Sequence, residues 1–221
     1  MGMEPRRLPP SAAAVVAVLL LAAVTAPGGV APAGAVAPAD PAPYRADAGG
    51  RISAAVLEDP DGRPWRLSEL DGQPVVVVVA DRAASGEAVD WGRRIGAAWG
   101  ERISLWSDRE RVAVLSVADL RAVPGFARGI ARWIIARLVA DEADPAGRAS
   151  PPLLLDWDGV VIGALDVEPE GATVIVLGRD RGVEFVATGE PTEEKVARLG
   201  TALERVDARP ATPALAAGGR P

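Results

Sequence analysis

An unbroken run of five valines, Val75–Val79, constrains the fold of this chain more than any other feature of its sequence. A strand that is half exposed alternates apolar with polar residues, so a strand that is apolar on both faces must be covered on both sides. A second apolar run, Val112–Val117, has the same character. Both runs are therefore predicted to lie in the middle of a sheet that carries helices on each face, which is an α/β sandwich.

Helical and strand patterns alternate around these two runs. A helix is predicted to begin at Ser85, which can cap it, and another near Thr192. The helix predicted over Phe126–Asp141 is expected to turn its largest apolar residues inward, namely Phe126, Ile130, Trp133, Ile134 and Leu138. A short strand is predicted at Leu153–Leu155, and two hairpins flank the whole, at Arg51–Leu57 with Arg63–Leu67 and at Thr173–Leu177 with Val183–Ala187.

This order of elements resembles the thioredoxin fold in its redoxin variant. The stretch from Leu57 to Val79, L-E-D-P-D-G-R-P-W-R-L-S-E-L-D-G-Q-P-V-V-V-V-V, is similar to the redoxin opening of a hairpin followed by the first central strand. The stretch from Gly171 to Lys195 is similar to the terminal hairpin and helix. The resemblance implies a thioredoxin-like three-layer α/β/α sandwich with a central mixed sheet and an N-terminal β-hairpin.

Within that superfamily the chain most resembles the YtfJ-type periplasmic proteins. Three segments carry this resemblance: Ala80-Asp81-Arg82-Ala83 after the first central strand, Val112–Asp119 leading to Pro124-Gly125, and the turn Asp156-Trp157-Asp158-Gly159. The resemblance implies a location outside the cytoplasm.

The chain contains no cysteine and no histidine. A chain without a thiol cannot carry out thiol–disulfide exchange or thiol-based peroxide reduction, and Ser-His-Asp and Cys-His catalysis are also excluded. The segment Asp81–Glu87 stands where the redox cysteines of the family would begin a helix, and Gly171-Ala172 stand where its cis-proline is expected. The resemblance therefore implies fold and compartment, and no redox activity.

The N-terminus has the layout of a secretory signal peptide. Arg6 and Arg7 precede an apolar run, Ala12–Ala26, which is followed by a small-residue site at Ala33-Gly34-Ala35. The predicted organisation is a signal peptide at 1–35, an Ala/Pro-rich linker at 36–50, a thioredoxin-like domain at 51–206 and a disordered tail at 207–221. An uncleaved N-terminal anchor is the alternative. No membrane span is expected after signal cleavage.

Polar residues follow the two central strands, where the carboxyl ends of parallel strands open onto a crevice. Asp81, Arg82, Ser85 and Glu87 follow the first strand, and Asp119 and Arg121 follow the second. With Gly171 they are the candidate ligand- or partner-binding residues, and Arg82 with free amides at the helix start is suited to a small anion. The alternative is structural: Asp81 and Arg82 form a local ion pair while Ser85 caps the helix.

Three functions fit these residues. The first is a non-catalytic module that binds a periplasmic or extracellular protein or a small ligand. The second is an enzyme in which Asp81, Glu87 or Asp119 acts as acid or base and Arg82 holds an anion. The third is a thiol-free accessory protein of a peroxide or disulfide pathway. No cofactor, metal or catalytic residue is predicted, and a net charge of −6 does not favour nucleic acid as a partner.

Overall fold

The computed structural model describes residues 45–99, 103–104, 111–141, 152–166 and 169–208. The predicted signal peptide, most of the predicted linker and the end of the predicted tail lie outside these ranges. Among the described residues, no helix has both the length and the apolar character needed to cross a membrane.

A short helix precedes the N-terminal hairpin. Helix α1 spans Ala48–Ser53, and the hairpin is formed by β1 (Val56–Glu58) and β2 (Pro64–Arg66). The hairpin is confirmed, but the first half of its predicted first strand is helical. The reason is that Ala48 and Ile52 lie four residues apart and are both fully buried, as the helical period requires and the period of a strand does not.

The central sheet contains both predicted valine-rich strands. The sheet runs in the order β2–β1–β6–β5–β3–β7–β8, and a short strand, β4, pairs with the free part of β5. Strands β3, β4, β5 and β6 are parallel to one another, while β7 pairs antiparallel with β3 and with β8. Their bounds are Val75–Ala80 for β3, Ile103–Ser104 for β4, Val112–Asp119 for β5, Leu153–Asp156 for β6, Thr173–Leu177 for β7 and Val183–Thr188 for β8.

Helices cover both faces of the sheet. Helices α2 (Ser85–Trp99), α3 (Arg128–Asp141) and α5 (Glu193–Ala208) pack on one face, while α1 and α4 (Val160–Leu165) pack on the other. The valine run divides between the two cores: Val76 and Val78 join the first, and Val75, Val77 and Val79 join the second. The predicted thioredoxin-like three-layer sandwich is confirmed by this topology, a β-α-β unit followed by an antiparallel hairpin and a terminal helix.

The predicted inward face of α3 is wrong for three of its five residues, while the other two, Ile134 and Leu138, are half-buried. Phe126, Ile130 and Trp133 are 90%, 66% and 64% exposed. The side that packs on the core is instead formed by Ala131, Ile135 and Val139. The helix carries apolar residues on more than one side, so its largest apolar residues do not identify the side that packs on the core.

Candidate functional site

Three aspartates lie side by side where three parallel strands end. Asp119 of β5 pairs in register with Asp156 of β6. Asp81 follows Ala80, which is in register with Ala118 of β5. Each side chain is used differently, and these differences define the candidate site.

Asp81 closes the turn between β3 and α2. Its carboxylate Oδ1 accepts a hydrogen bond from the backbone N–H of Ala84 at 2.9 Å. Ser85 is the first helical residue, and the capping hydrogen bond comes from Asp81 instead. Asp81 remains exposed at the end of the sheet.

Asp119 is held by a two-pronged contact with Arg121. Arg121 Nη2 donates to Asp119 Oδ2 at 2.7 Å, and Nε contacts both carboxylate oxygens at 3.0 Å. Asp119 is almost buried in this pair, while 45% of the Arg121 side chain stays exposed. The stem of Arg121 lies against Gly159, which has φ +67°, and a Cβ at Gly159 would overlap it. A planar guanidinium fork on a carboxylate fixes both groups in one geometry.

Glu87 links the start of α2 to the start of β7. Its Oε2 accepts a hydrogen bond from the backbone N–H of Ala172 at 2.8 Å. The adjacent Gly171 has φ +98°, and a Cβ at this position would overlap the Glu87 carboxylate. Glycine is therefore required at 171 both for its backbone conformation and for the close approach of Glu87.

A cleft of about 250 Å³ opens beside these groups. It is lined by the residues Val79, Ala80, Asp81, Asp119, Arg121, Ile162, Pro169, Gly171 and Thr173. Thr173 is fully buried, and its hydroxyl makes no hydrogen bond with any described residue. A buried hydroxyl without a partner is costly, so the cleft contains an unmet hydrogen-bonding group.

The structure thus brings together most of the residues predicted from the sequence. Asp81, Asp119, Arg121 and Gly171 line the cleft, and Glu87 lies directly behind Gly171. Arg82 lies in the adjoining turn and Ser85 is the first residue of α2, and neither lines the cleft. The predicted ion pair between Asp81 and Arg82 is not formed, and no residue in the described ranges pairs with the Arg82 side chain.

The sequence prediction missed five residues that line the cleft, Val79, Ala80, Ile162, Pro169 and Thr173, and of these only Thr173 has a polar side chain. Thr173 is the one polar residue at the start of an otherwise apolar strand, and it pairs with Val79 of β3. That pairing brings it to the edge where Asp81 leaves the sheet. A single hydroxyl in an otherwise apolar strand is the only sign of this role in the sequence. The sequence does not show that β7 pairs with β3, and without that pairing Thr173 cannot be placed beside Asp81.

The fold and the site define a cysteine-free protein with a thioredoxin-like fold. No family model matches the sequence, and no curated protein matches it. Solved structures similar to the chain include a candidate thioredoxin from Neisseria meningitidis, at 19% identity over 71% of this chain and 91% of that one, with a TM-score of 0.47.

Two exported proteins are also among the similar structures. One is the exposed lipoprotein thioredoxin of Streptococcus pneumoniae, at 18% identity, with 68% of this chain and 98% of that one covered and a TM-score of 0.45. The other is a secreted Mycobacterium tuberculosis disulfide oxidoreductase, at 14% identity, with 71% and 98% covered and a TM-score of 0.41. The fold assignment rests on the strand order and connections described above.

Proposed function

We propose that this protein is an exported binding module, without catalytic activity of its own, that holds a small polar group in the cleft beside Asp81 and Thr173. The group belongs either to a small ligand or to a protein partner in the periplasm or outside the cell. The observation that carries the proposal is the buried Thr173 hydroxyl, which has no partner among the described residues and lines an open cleft. A ligand that hydrogen-bonds to it would offset the cost of burying it.

The cleft is better suited to a hydrogen-bond donor than to an anion. Asp81 and Asp119 bring two carboxylates to its wall, and Arg121 is already engaged with Asp119. A volume of about 250 Å³ is below the usual range for drug-sized ligands, roughly 300–1,000 Å³. The cleft therefore fits a group about the size of one amino-acid side chain or a chain terminus that carries an amine or a hydroxyl.

The three carboxylates considered for acid–base catalysis all have structural partners. Asp81 caps α2, Glu87 accepts from Ala172 N–H, and Asp119 is bound by Arg121. A general acid or base must be free to exchange a proton with its substrate, and these contacts oppose that role most strongly at Glu87 and Asp119. They favour binding over catalysis.

Substitution of Thr173 by valine tests the binding role. Thr173→Val keeps the shape of the side chain and removes the hydroxyl. It should raise the free energy of unfolding by about 1 kcal/mol, because a buried group without a partner is removed. It should also weaken ligand binding. Binding is measured by titrating the protein with small amines, alcohols and carboxylates while the NMR shifts of the Gly171 and Ala172 amides are recorded.

The proposal expects amines or alcohols to shift these amides in the parent protein and not in Thr173→Val. Ser85→Ala is the matched control, because it removes a hydroxyl from the adjoining turn but not from the cleft. If Thr173→Val loses stability, the hydroxyl has a structural partner instead. If carboxylates alone shift the amides, the chemistry assigned to the cleft is wrong.

Export rests on the N-terminal pattern and on the resemblance to the YtfJ-type periplasmic proteins. Cleavage after Ala35 would leave a chain that begins at Val36. Mass spectrometry of the N-terminal peptide from the extracytoplasmic fraction checks this directly. A chain that keeps Met1 and sediments with membranes would support the retained anchor instead.

A further inference from the structure

Helix α3 and the turn before it expose a stripe of large apolar side chains. Phe126, Ile130 and Trp133 are the most exposed of the large apolar residues in the described ranges. Their spacing of four and three residues places them along one side of the helix. We call these three residues the α3 stripe.

The α3 stripe has about the size of the largest apolar patch on a typical monomer, and such patches are often functional. A buried aromatic side chain covers about 150–250 Å², so the stripe exposes roughly 400 Å² of apolar area. Monomeric proteins rarely expose contiguous apolar patches beyond a few hundred Å², and larger ones mark interaction sites. Since the α3 core side is already filled by Ala131, Ile135 and Val139, the stripe is free to meet another molecule.

We propose that the α3 stripe is the contact surface of a homodimer in which two copies of α3 pack antiparallel across a two-fold axis. The stripe reads aromatic, aliphatic, aromatic, and it is therefore nearly symmetric about Ile130. A two-fold axis near Ile130 brings the Phe126 of each copy against the partner's Trp133. An isologous contact of this kind requires a self-complementary patch.

The shape of the helix next to Ile130 fits the same arrangement. Gly129 is exposed, and a Cβ built on it meets nothing within 4 Å. Gly129 therefore leaves a hollow beside Ile130 that can accept the partner's Ile130. Close approach of two helices depends on side chains of one filling hollows of the other.

The charges beside the stripe also permit two copies to meet. Arg128 pairs with Asp158 at 2.9 Å, and Arg132 pairs with Glu58 at 3.2 Å. A two-fold axis near Ile130 sets Arg128 close to the partner's Arg132, but each of these arginines is already paired with a carboxylate of its own copy, which reduces their mutual repulsion. The chain as a whole carries −6, so this locally balanced surface is a place where two copies can approach with little repulsion.

The area available for burial places such a dimer among weak, transient interfaces. Two stripes together with their rims would bury about 1,000 Å², at the lower end for specific interfaces. We therefore expect a weak dimer with a Kd on the order of 10 µM.

Sedimentation velocity on the purified protein, from about 1 µM to 500 µM, tests the dimer. The parent should change from monomer to dimer over this range, and Ile130→Asp should stay monomeric. Ala197→Asp adds the same charge to an exposed position on α5 and should behave as the parent does. A parent that is monomeric throughout overturns the proposal, as does an Ile130→Asp variant that dimerises equally well.

An introduced cysteine tests the geometry independently, because the chain has no cysteine of its own. Gly129→Cys lies next to the proposed axis and should form a disulfide-linked dimer rapidly when diamide oxidises the two thiols. Ala197→Cys should not, and equal cross-linking of both variants overturns the proposed contact. If the parent stays monomeric but binds phosphatidylglycerol vesicles and Trp133→Ala does not, the stripe faces lipid and the dimer is wrong.

Discussion

Asp156 and Asp81 occupy equivalent positions at the ends of two parallel strands, but they differ in burial and in hydrogen bonding. Asp156 is the last residue of β6 and Asp81 directly follows β3, and each caps the helix that comes next. Asp156 is 1% exposed and accepts two hydrogen bonds, from the backbone N–H groups of Val160 and Val161 at 3.0 and 2.9 Å. Asp81 is exposed and accepts one, from Ala84. The same residue type is thus buried in hydrogen bonds at the end of one strand and exposed to solvent at the end of another.

The helices that follow explain the difference. Helix α4 is short, and its residues Val161 and Ile162 are buried against the sheet, so its first amides are enclosed with the Asp156 carboxylate. The start of α2 lies at the surface, where Arg82, Ala83 and Gly86 are exposed. Whether the following helix starts in the core or at the surface therefore decides whether the aspartate carboxylate is buried or exposed to solvent.

The largest expected effect is on Asp156. Asp156→Ala leaves the Val160 and Val161 amides without acceptors, and the amide of Val161 is buried. We expect a loss of about 3 kcal/mol in the free energy of unfolding, since buried groups without partners cost 1–3 kcal/mol each. Urea denaturation measures the change. Asp156→Asn keeps one acceptor oxygen and should therefore lose less unfolding free energy than Asp156→Ala. If both variants lose the same amount, the charge of Asp156 and not its hydrogen bonds accounts for the effect.

Gly171→Ala should have the next largest effect. A methyl group at this position overlaps the Glu87 carboxylate and forces alanine to a positive φ. We expect a loss of about 2 kcal/mol by urea denaturation. In a Glu87→Ala background the same substitution should cost about half as much, because the backbone strain remains and the overlap does not. Equal costs in both backgrounds would show that Glu87 does not limit the space at 171.

Much of this arrangement follows from the sequence, and the reasons differ between elements. The run of five valines predicts a buried strand, because a half-exposed strand would alternate apolar with polar residues. Asp81 follows this strand closely in the chain, so its place at the end of the sheet is predicted as well. The rotation of α3 does not follow, since its sequence offers apolar residues on more than one side. The cleft role of Thr173 depends on the pairing of β3 with β7, which joins residues almost a hundred positions apart.

Arg121→Ala should have a smaller effect than the two substitutions above. It removes the guanidinium group that binds the Asp119 carboxylate. The Asp119 side chain is only 8% exposed, while the Arg121 side chain is 45% exposed. Solvent screens such a half-exposed pair, so we expect a loss of about 1 kcal/mol. Arg121→Lys keeps the charge but cannot reproduce the fork. If lysine restores full stability in urea denaturation, charge rather than geometry holds Asp119.

The smallest effect on stability is expected at Asp81, although the proposed binding role makes it the most informative position. Asp81→Ala removes one capping hydrogen bond at an exposed helix start, which costs about 0.5–1 kcal/mol. Asp81→Asn retains the capping oxygen and should cost less, yet it removes the negative charge from the cleft wall. If the cleft binds amines, Asp81→Asn should weaken their titration shifts at Gly171 and Ala172 while stability changes little.

Asp156→Asn is the control and should show the reverse, with stability lost and binding per folded molecule retained. If both variants instead lose binding in proportion to stability, the two aspartates have the same structural role and Asp81 is no ligand contact.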